Sequence, residues 1–258
     1  MSLLRLSVRS ITGTLHGGSS RPLLVETESG RFVLKLVNGP EGPFPLAAEW
    51  WCTGLARALG LPTLELVAVD LDPRLADPIE ESELREAVQR GAGLCQGVRE
   101  LAGARAATPR ELERAPDDFV APLLWLDRLV QNPDRRSANP NILSFGSALF
   151  PIDHGAALSF HHTWQLDEQS PSEDLGVPRD HVFAARAAAL PDWYSELERR
   201  LTRELLNELA LGLPDEWLGP LRFGSSERQK LAYATYLWKR LQALDPLGSR
   251  GKLLPRPT

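Results

Sequence analysis

The clearest alternation in the chain is GRFVLKLV at 30–37, where Phe32, Leu34 and Leu36 fall on one side and Val33, Lys35 and Val37 on the other. That period of two belongs to a strand with one face on a core. Two earlier runs share the character, LRLSVRSIT at 3–11 and RPLLVE at 21–26, and Glu28-Ser29-Gly30 offers a tight turn before the third. Together they predict an antiparallel meander. After a Gly- and Pro-rich breaker at 38–45 the period changes: apolar residues at 48, 52, 55 and 59 have helical spacing, and Gly60 and Pro62 close a helix expected over 46–59. Strand character returns at 61–71, and the charged stretch 80–91 predicts a surface helix.

From residue 117 the pattern is helical. DDFVAPLLWLDRLVQ has an acidic start behind Pro116 and apolar residues at 119, 120, 123, 126 and 130. Two late helices are expected, one over 192–211 on Leu197, Leu201, Leu205 and Leu209, the other over 226–244, opened by a capping box from Ser226 to Gln229. A sheet-rich first part and a helix-rich second part, joined near 95–116, indicate an α+β chain of two lobes. The expected division is a small antiparallel-sheet lobe at 1–105, a helical lobe at 106–250 and a frayed tail at 251–258, with the cleft between the lobes as the default ligand site.

Composition narrows the partners. Among 258 residues Lys and Arg number 29 and Asp and Glu 34, a net charge of −5 that argues against direct nucleic-acid binding through a broad phosphate-neutralising surface. Cys52 and Cys95 lack CxxC or zinc-ligand spacing and are expected to be free thiols in a reducing compartment. No apolar stretch has the length of a signal peptide or of a membrane span, so the expected location is the cytoplasm, with no membrane partner.

The candidate chemistry starts in NPDRRSANPNIL at 132–143, where Asn139 follows Asp134 by five residues. NILSF and ALFPID then flank a turn at Phe145-Gly146-Ser147, a hairpin that returns Asp153 toward Asn139, because paired strands lie ~5 Å apart. Two carboxylates and a carboxamide gathered in this way suit a hard cation such as Mg²⁺ better than zinc, and Mg²⁺ points to phosphate chemistry. Lys35 on its strand and Glu49 on the next helix are the candidate pair for holding a nucleotide's phosphates. Gly17-Gly18-Ser19-Ser20 could cover those phosphates with backbone N–H groups, although by turn chemistry Ser19 and Ser20 are ordinary loop residues.

A strand Lys, a helix Glu, an Asp with an Asn five later and an Asp-x-Gly (Asp153-His154-Gly155) in this order resemble the protein-kinase-like fold. More closely, GGSSRPLLVE, FVLK, LARALGLP, NPDRRSANPNIL and IDHGAALSFHH are together similar to the HipA-like kinase family, over nearly the whole chain up to about residue 165. The resemblance implies a two-lobed kinase fold using ATP and Mg²⁺. Asp134 would accept the proton of the attacking hydroxyl, Arg136 stabilise the transferring phosphoryl group, and Asn139 and Asp153 hold the metal. It also implies a Ser/Thr protein acceptor and admits an antitoxin-like protein partner. Two alternatives stand beside it: a small-molecule or lipid kinase of the same fold, and a nucleotide-binding pseudokinase that regulates a partner. Asn132-Pro133 replaces the His-Arg of protein kinases, and the glycine loop departs from G-x-G-x-x-G. Arg135 is expected to cap or pair at the surface. His161 and His162 are expected to pack beside Phe160 and Trp164, since no His pair has the spacing of a zinc hydrolase.

Overall fold

The computed structural model of the chain describes residues 3–15, 22–165, 170–172, 176–189 and 191–244. Gly17, Gly18, Ser19 and Ser20 and the tail at 251–258 lie outside the described residues.

The expected first strand divides into β1 (Arg5–Ser7) and β2 (Ser10–Thr14). These consecutive strands occupy opposite ends of one six-stranded sheet, ordered β1-β5-β6-β4-β3-β2 with β3 at Leu23–Thr27, β4 at Gly30–Lys35, β5 at Leu66–Leu71 and β6 at Gly93–Arg99. The switch takes one residue. The Val8 N–H donates to Asp70 O on β5 at 3.0 Å, and the next, Arg9, donates to Glu26 O on β3 at 2.8 Å. A strand pair that is covalently continuous yet at both edges forces the sheet to curl toward closure, leaving little free edge. The β2-β3-β4 meander and its turn before Gly30 (φ 114°) form as the pattern predicts. The β1–β5 pair is parallel, which alternation within a strand cannot foretell. Phe32 and Leu34 of β4 are wholly buried, so the alternation marks the core face as far as Lys35; beyond the strand's end it lapses, with Val37 buried and Leu36 only partly so.

Helix α1 (Phe44–Ala58) crosses the sheet. It is fixed from two directions. Gln96 on β6 donates from Nε2 to Leu46 O at 2.9 Å, and the Trp50 indole donates to Leu209 O at 2.8 Å. Gly54 faces Leu209 so closely that a Cβ there would overlap its side chain. After α2 (Ser82–Gly91) and β6 the chain enters a second, three-stranded antiparallel sheet: β7 (Arg105–Ala106), β8 (Ile142–Phe145) and β9 (Ala148–Pro151). Between β7 and β8 lie α3 (Pro109–Glu113), with a Thr108–Glu111 capping box, and α4 (Asp117–Leu129), which is buried over most of its length.

The helix expected over 192–211 is two helices, α5 (Pro191–Arg200) and α6 (Arg203–Gly212). Thr202 is extended and caps α6 by accepting from the Leu205 N–H at 3.2 Å. The leucines at spacing four run through the break, so periodicity alone hid it. In α7 (Ser226–Ala243) the cap is Ser225, not Ser226. Gln229 is drawn away from the expected box, because its amide accepts from Arg222 N at 2.7 Å and donates to Gly219 O at 3.4 Å.

Replacing a helical Gly by Ala ordinarily stabilises a helix by about 1 kcal/mol. At Gly54 the contact with Leu209 reverses the sign. Gly54→Ala should destabilise the protein by about 1–3 kcal/mol, and Gly54→Val should cost more than Gly54→Ala. Urea unfolding of the two variants checks this; a more stable Gly54→Ala protein would show that α1 does not press on α6.

Candidate active site

Lys35 ends β4 on the half-buried face, and its ammonium lies between two carboxylates. Nζ is 2.9 Å from Glu49 Oε2 and 2.7 Å from Asp153 Oδ1. Glu49 sits mid-way along α1 and is buried; the same Oε2 also accepts the His154 N–H at 2.9 Å. Burial opposes the charge on Lys35, but Glu49 and Asp153 outweigh it and raise its pKa. Burial likewise opposes ionisation of Glu49 and of Asp153, and Lys35 as the main counterweight lowers both. All three groups are therefore charged at neutral pH, two acids around one base.

Asp153 follows β9 in a left-handed conformation (φ 55°), which a non-glycine residue adopts at a cost of roughly 1–3 kcal/mol. The conformation turns its carboxylate toward Lys35 and leaves the side chain 52% exposed. Across the hairpin, Asp134 is held by two carboxamides: Asn139 Nδ2 and Asn141 Nδ2 each donate to its Oδ2 at 3.3 Å. Its backbone N–H donates to Asn132 Oδ1 at 3.1 Å. The sequence reading named Asn139 but missed Asn141, whose left-handed backbone (φ 50°) aims it at the same oxygen. Among the described residues Asp134 Oδ1, Asp153 Oδ2 and Asn139 Oδ1 take no hydrogen bond. Arg136 is half-exposed beside them. Its Nε donates to Pro133 O at 2.9 Å and lies 3.5 Å from Asp180 Oδ2.

Beneath these groups lies a buried ionic layer that the sequence reading did not foresee. Arg135, expected at the surface, is wholly buried. Its Nε donates to Asp127 Oδ2 at 2.6 Å, one terminal nitrogen donates to the carbonyls of Asn141 at 2.7 Å and Pro140 at 3.2 Å, and the other meets His154 Nδ1 at 3.1 Å. Asp127, on α4, also accepts from Asn132 Nδ2 at 2.9 Å and faces His181 Nε2 at 3.1 Å. His181 Nδ1 accepts the Phe183 N–H at 3.0 Å, which fixes the other nitrogen as the donor to Asp127. Burial holds the His154 pKa down, so its ring is neutral and Nδ1 accepts from Arg135. The signal available in sequence was the four-residue DRLV between Asp127 and Gln131. An acid eight positions before an arginine, following the apolar run Phe119–Leu126 of the same helix, needs a buried partner.

His161 is buried beside Phe160, at a ring distance of 6.0 Å, as expected, but the nearer ring for both histidines is Phe44, at 4.8 Å from His161 and 4.6 Å from His162, and His162 stays exposed. His161 Nδ1 meets the Tyr233 hydroxyl at 3.0 Å, and burial pushes its pKa down to about 3.

Free carboxylate and carboxamide oxygens around a net negative cleft fit a hard divalent cation, which takes oxygen ligands and offsets that charge. Asp153 and Asn139 present such oxygens.

A comparison by family matches the HipA-like kinase model to residues 8–231. The chain belongs to the HipA-like kinase family. Among solved structures, this HipA-like kinase superposes on the Helicobacter pylori proinflammatory kinase CtkA with a TM-score of 0.58 at 12% identity, covering 93% of this chain and 94% of that one. That likeness is one of fold. A Golgi casein kinase structure aligns with a TM-score of 0.48 at 12% identity over 98% of this chain and 75% of that one. No curated protein matches the chain. Among the described residues no helix is long and apolar enough to cross a membrane.

Asp127→Ala should strand Arg135 in the interior without its counter-ion and cost about 3–5 kcal/mol in urea unfolding at neutral pH. Burial alone would raise the Asp127 pKa, but Arg135 and then His181 hold it below the usual carboxylate range. A depressed folded pKa means the contribution is whole above the unfolded value near ~4 and is lost as pH falls through the folded value. Stability should therefore decline on acidification below about pH 4, and the decline should be shallower in Asp127→Asn. Equal acid slopes in the two proteins would show that Asp127 is not ionised in the fold.

Proposed function

We propose that this HipA-like kinase transfers the γ-phosphate of Mg-ATP to a hydroxyl acceptor, with a Ser or Thr side chain of a protein as the acceptor of choice. The observation that carries the proposal is the joint placement of Lys35, Glu49 and Asp153 in one hydrogen-bonded chain, with Asp134 clamped by Asn139 and Asn141 at the other side of the hairpin. Asp134 accepts the proton of the attacking hydroxyl. Its Oδ2 is occupied by the two carboxamides, so Oδ1 is the oxygen that receives it. Lys35 neutralises the nucleotide's phosphates, and Glu49 keeps the ammonium aimed while Asp153 releases it. Arg136, whose ion pair with Asp180 is long and half-exposed, turns to the transferring phosphoryl group.

Asn139 and Asp153 hold Mg²⁺, which when bound supplies charge neutralisation at the phosphates. Gly17, Gly18, Ser19 and Ser20 take the role of the phosphate-covering loop. The division of the two lobes is taken at 105/106, in β7, the first strand of the second sheet. The buried free thiols Cys52 and Cys95, the latter pushed up to about 12 by burial, support a reducing, cytoplasmic setting.

Transfer of labelled γ-phosphate from ATP and Mg²⁺, with purified protein and with lysate, tests this. Label on a protein band should fall by about 10²–10⁴-fold in Asp134→Asn, and Asp153→Ala should remove Mg²⁺-dependent turnover. Label confined to small molecules would reassign the acceptor. Activity unchanged in both variants would overturn the site, and ATP binding without any transfer would make the protein a pseudokinase.

A further inference from the structure

A cavity of about 880 Å³ lies apart from the catalytic groups. It is walled by α3, the start of α4, the loop after α1 and the turn of the β8–β9 hairpin, and neither Lys35, Glu49, Asp134, Asn139 nor Asp153 lines it. Asn139 and Asp153 flank the open end of that hairpin, and the cavity sits at its turn, about 10 Å further along the strands.

The charges on its wall are unevenly satisfied. Glu111 is fully engaged: Arg105 grips both of its oxygens at 2.8 Å, Thr108 donates from N and Oγ1, each at 2.8 Å, and the Ser144 hydroxyl donates at 2.7 Å. That network ties β7, α3 and β8 into a rigid wall and uses up the Arg105 charge. Arg110 and Arg114 also line the cavity, and among the described residues neither side chain has an ion pair or hydrogen bond. Arg110 lies in α3 and Arg114 caps its C-terminal end, four residues on, where like charges one helical turn apart repel each other. Asp118 is the one acid of the lining left to face them. In a chain of net charge −5, Arg110 and Arg114 against Asp118 alone, with Arg105 and Glu111 cancelling, are a local reversal of sign. Between them the buried Phe119 and the half-buried Leu149 give the cavity an apolar floor.

We propose that this cavity binds a small organic anion, with an apolar body against Phe119 and Leu149 and a carboxylate or phosphate group between Arg110 and Arg114. Guanidinium groups match both anions through paired N–H donors, and the cavity's volume is that of a small-molecule site. The site is independent of the phosphotransfer reading, because it shares no lining residue with the cleft.

The test uses the full chain, labelled for amide NMR and titrated with phenyl phosphate, phenylacetate and benzyl alcohol. The expected result is that one or both anions shift amides within 105–119 and 144–149, that benzyl alcohol does not, and that the double variant Arg110→Ala/Arg114→Ala weakens the binding at least tenfold. The tighter of the two anions names the head group. Both arginines are exposed, and an unchanged urea-unfolding midpoint of the double variant controls for its fold. Ala148→Trp, which fills the cavity from the hairpin side, should also abolish the shifts. Equal binding of benzyl alcohol, shifts confined to residues around Lys35 and Asp134, undiminished binding in the double variant, or no binding of either anion would each overturn the proposal.

Discussion

The ion pair between Asp127 and Arg135 is the contact on which the candidate active site depends. Both side chains are closed to solvent, and removing two charges from water costs several kcal/mol per ion. The cost is tolerable because the polar atoms are used. Asp127 faces Arg135, Asn132 and His181, and Arg135 spreads its remaining donors over backbone carbonyls on both sides of the hairpin and the His154 ring. What such a pair supplies is geometry more than net stability. One guanidinium holds the carbonyl of Asn141, at the end of the loop carrying Asp134 and Asn139, and the ring of His154, the neighbour of Asp153. The spacing between the two halves of the candidate site is therefore set from below, by a residue that is itself wholly buried. The same layer reaches outward through His181. Val182 N donates to Arg135 O at 3.1 Å and Ser137 N to Asp180 O at 2.9 Å, so the segment around 180–183 is stitched to the catalytic loop.

A second constraint brings the first sheet to this layer. Glu49 accepts from Lys35 on one side and from the His154 backbone on the other through a single oxygen, so α1 is the hinge-pin between the sheet and the loops. Its own placement is over-determined by Gln96 at its start and by Trp50 and Gly54 against α6 further along. A helix held at both ends by backbone-directed hydrogen bonds and a glycine contact has little freedom to rotate, and a rotation of one residue, about 100°, would carry Glu49 away from Lys35.

The sequence made the charged chemistry of the cleft legible and hid its support. Lys35 and Glu49 could be found because each sits on an element with a clear period, Asn139 by its spacing from Asp134, which it contacts, and Asp153 because it follows a short hairpin. The boundary at Thr202 was lost because leucines at spacing four do not register a break in the backbone. The division of the first strand was lost because leaving one edge of a sheet for the other is a matter of curvature, which a single strand's alternation does not encode. Arg135 was misplaced for a related reason. A charged residue in a polar loop reads as solvated unless its partner is known, and Asp127 lies on a helix whose remaining residues look like ordinary core.

The backbone itself records where this arrangement is under tension. Gln131, Asn141, Asp153 and Leu158 all have positive φ between 50° and 57°, and all four flank the catalytic loop or its hairpin. Such conformations persist only where their surroundings over-determine them, and here the determinants can be named. Asn141 is held through its carbonyl by Arg135 and through its amide by Asp134. Asp153 is held by Lys35. Leu158 donates its N–H to Val130 O at 2.8 Å, and Gln131 accepts from the Tyr236 hydroxyl at 3.2 Å. Each strained residue thus leans on a different element: the buried arginine, β4, the end of α4, and α7. At Asn141 and Asp153 the strain and the ion pair are two sides of one design, since relaxing either toward an ordinary φ would move a carboxamide or a carboxylate of the candidate site, and at Asn141 the buried guanidinium resists the move.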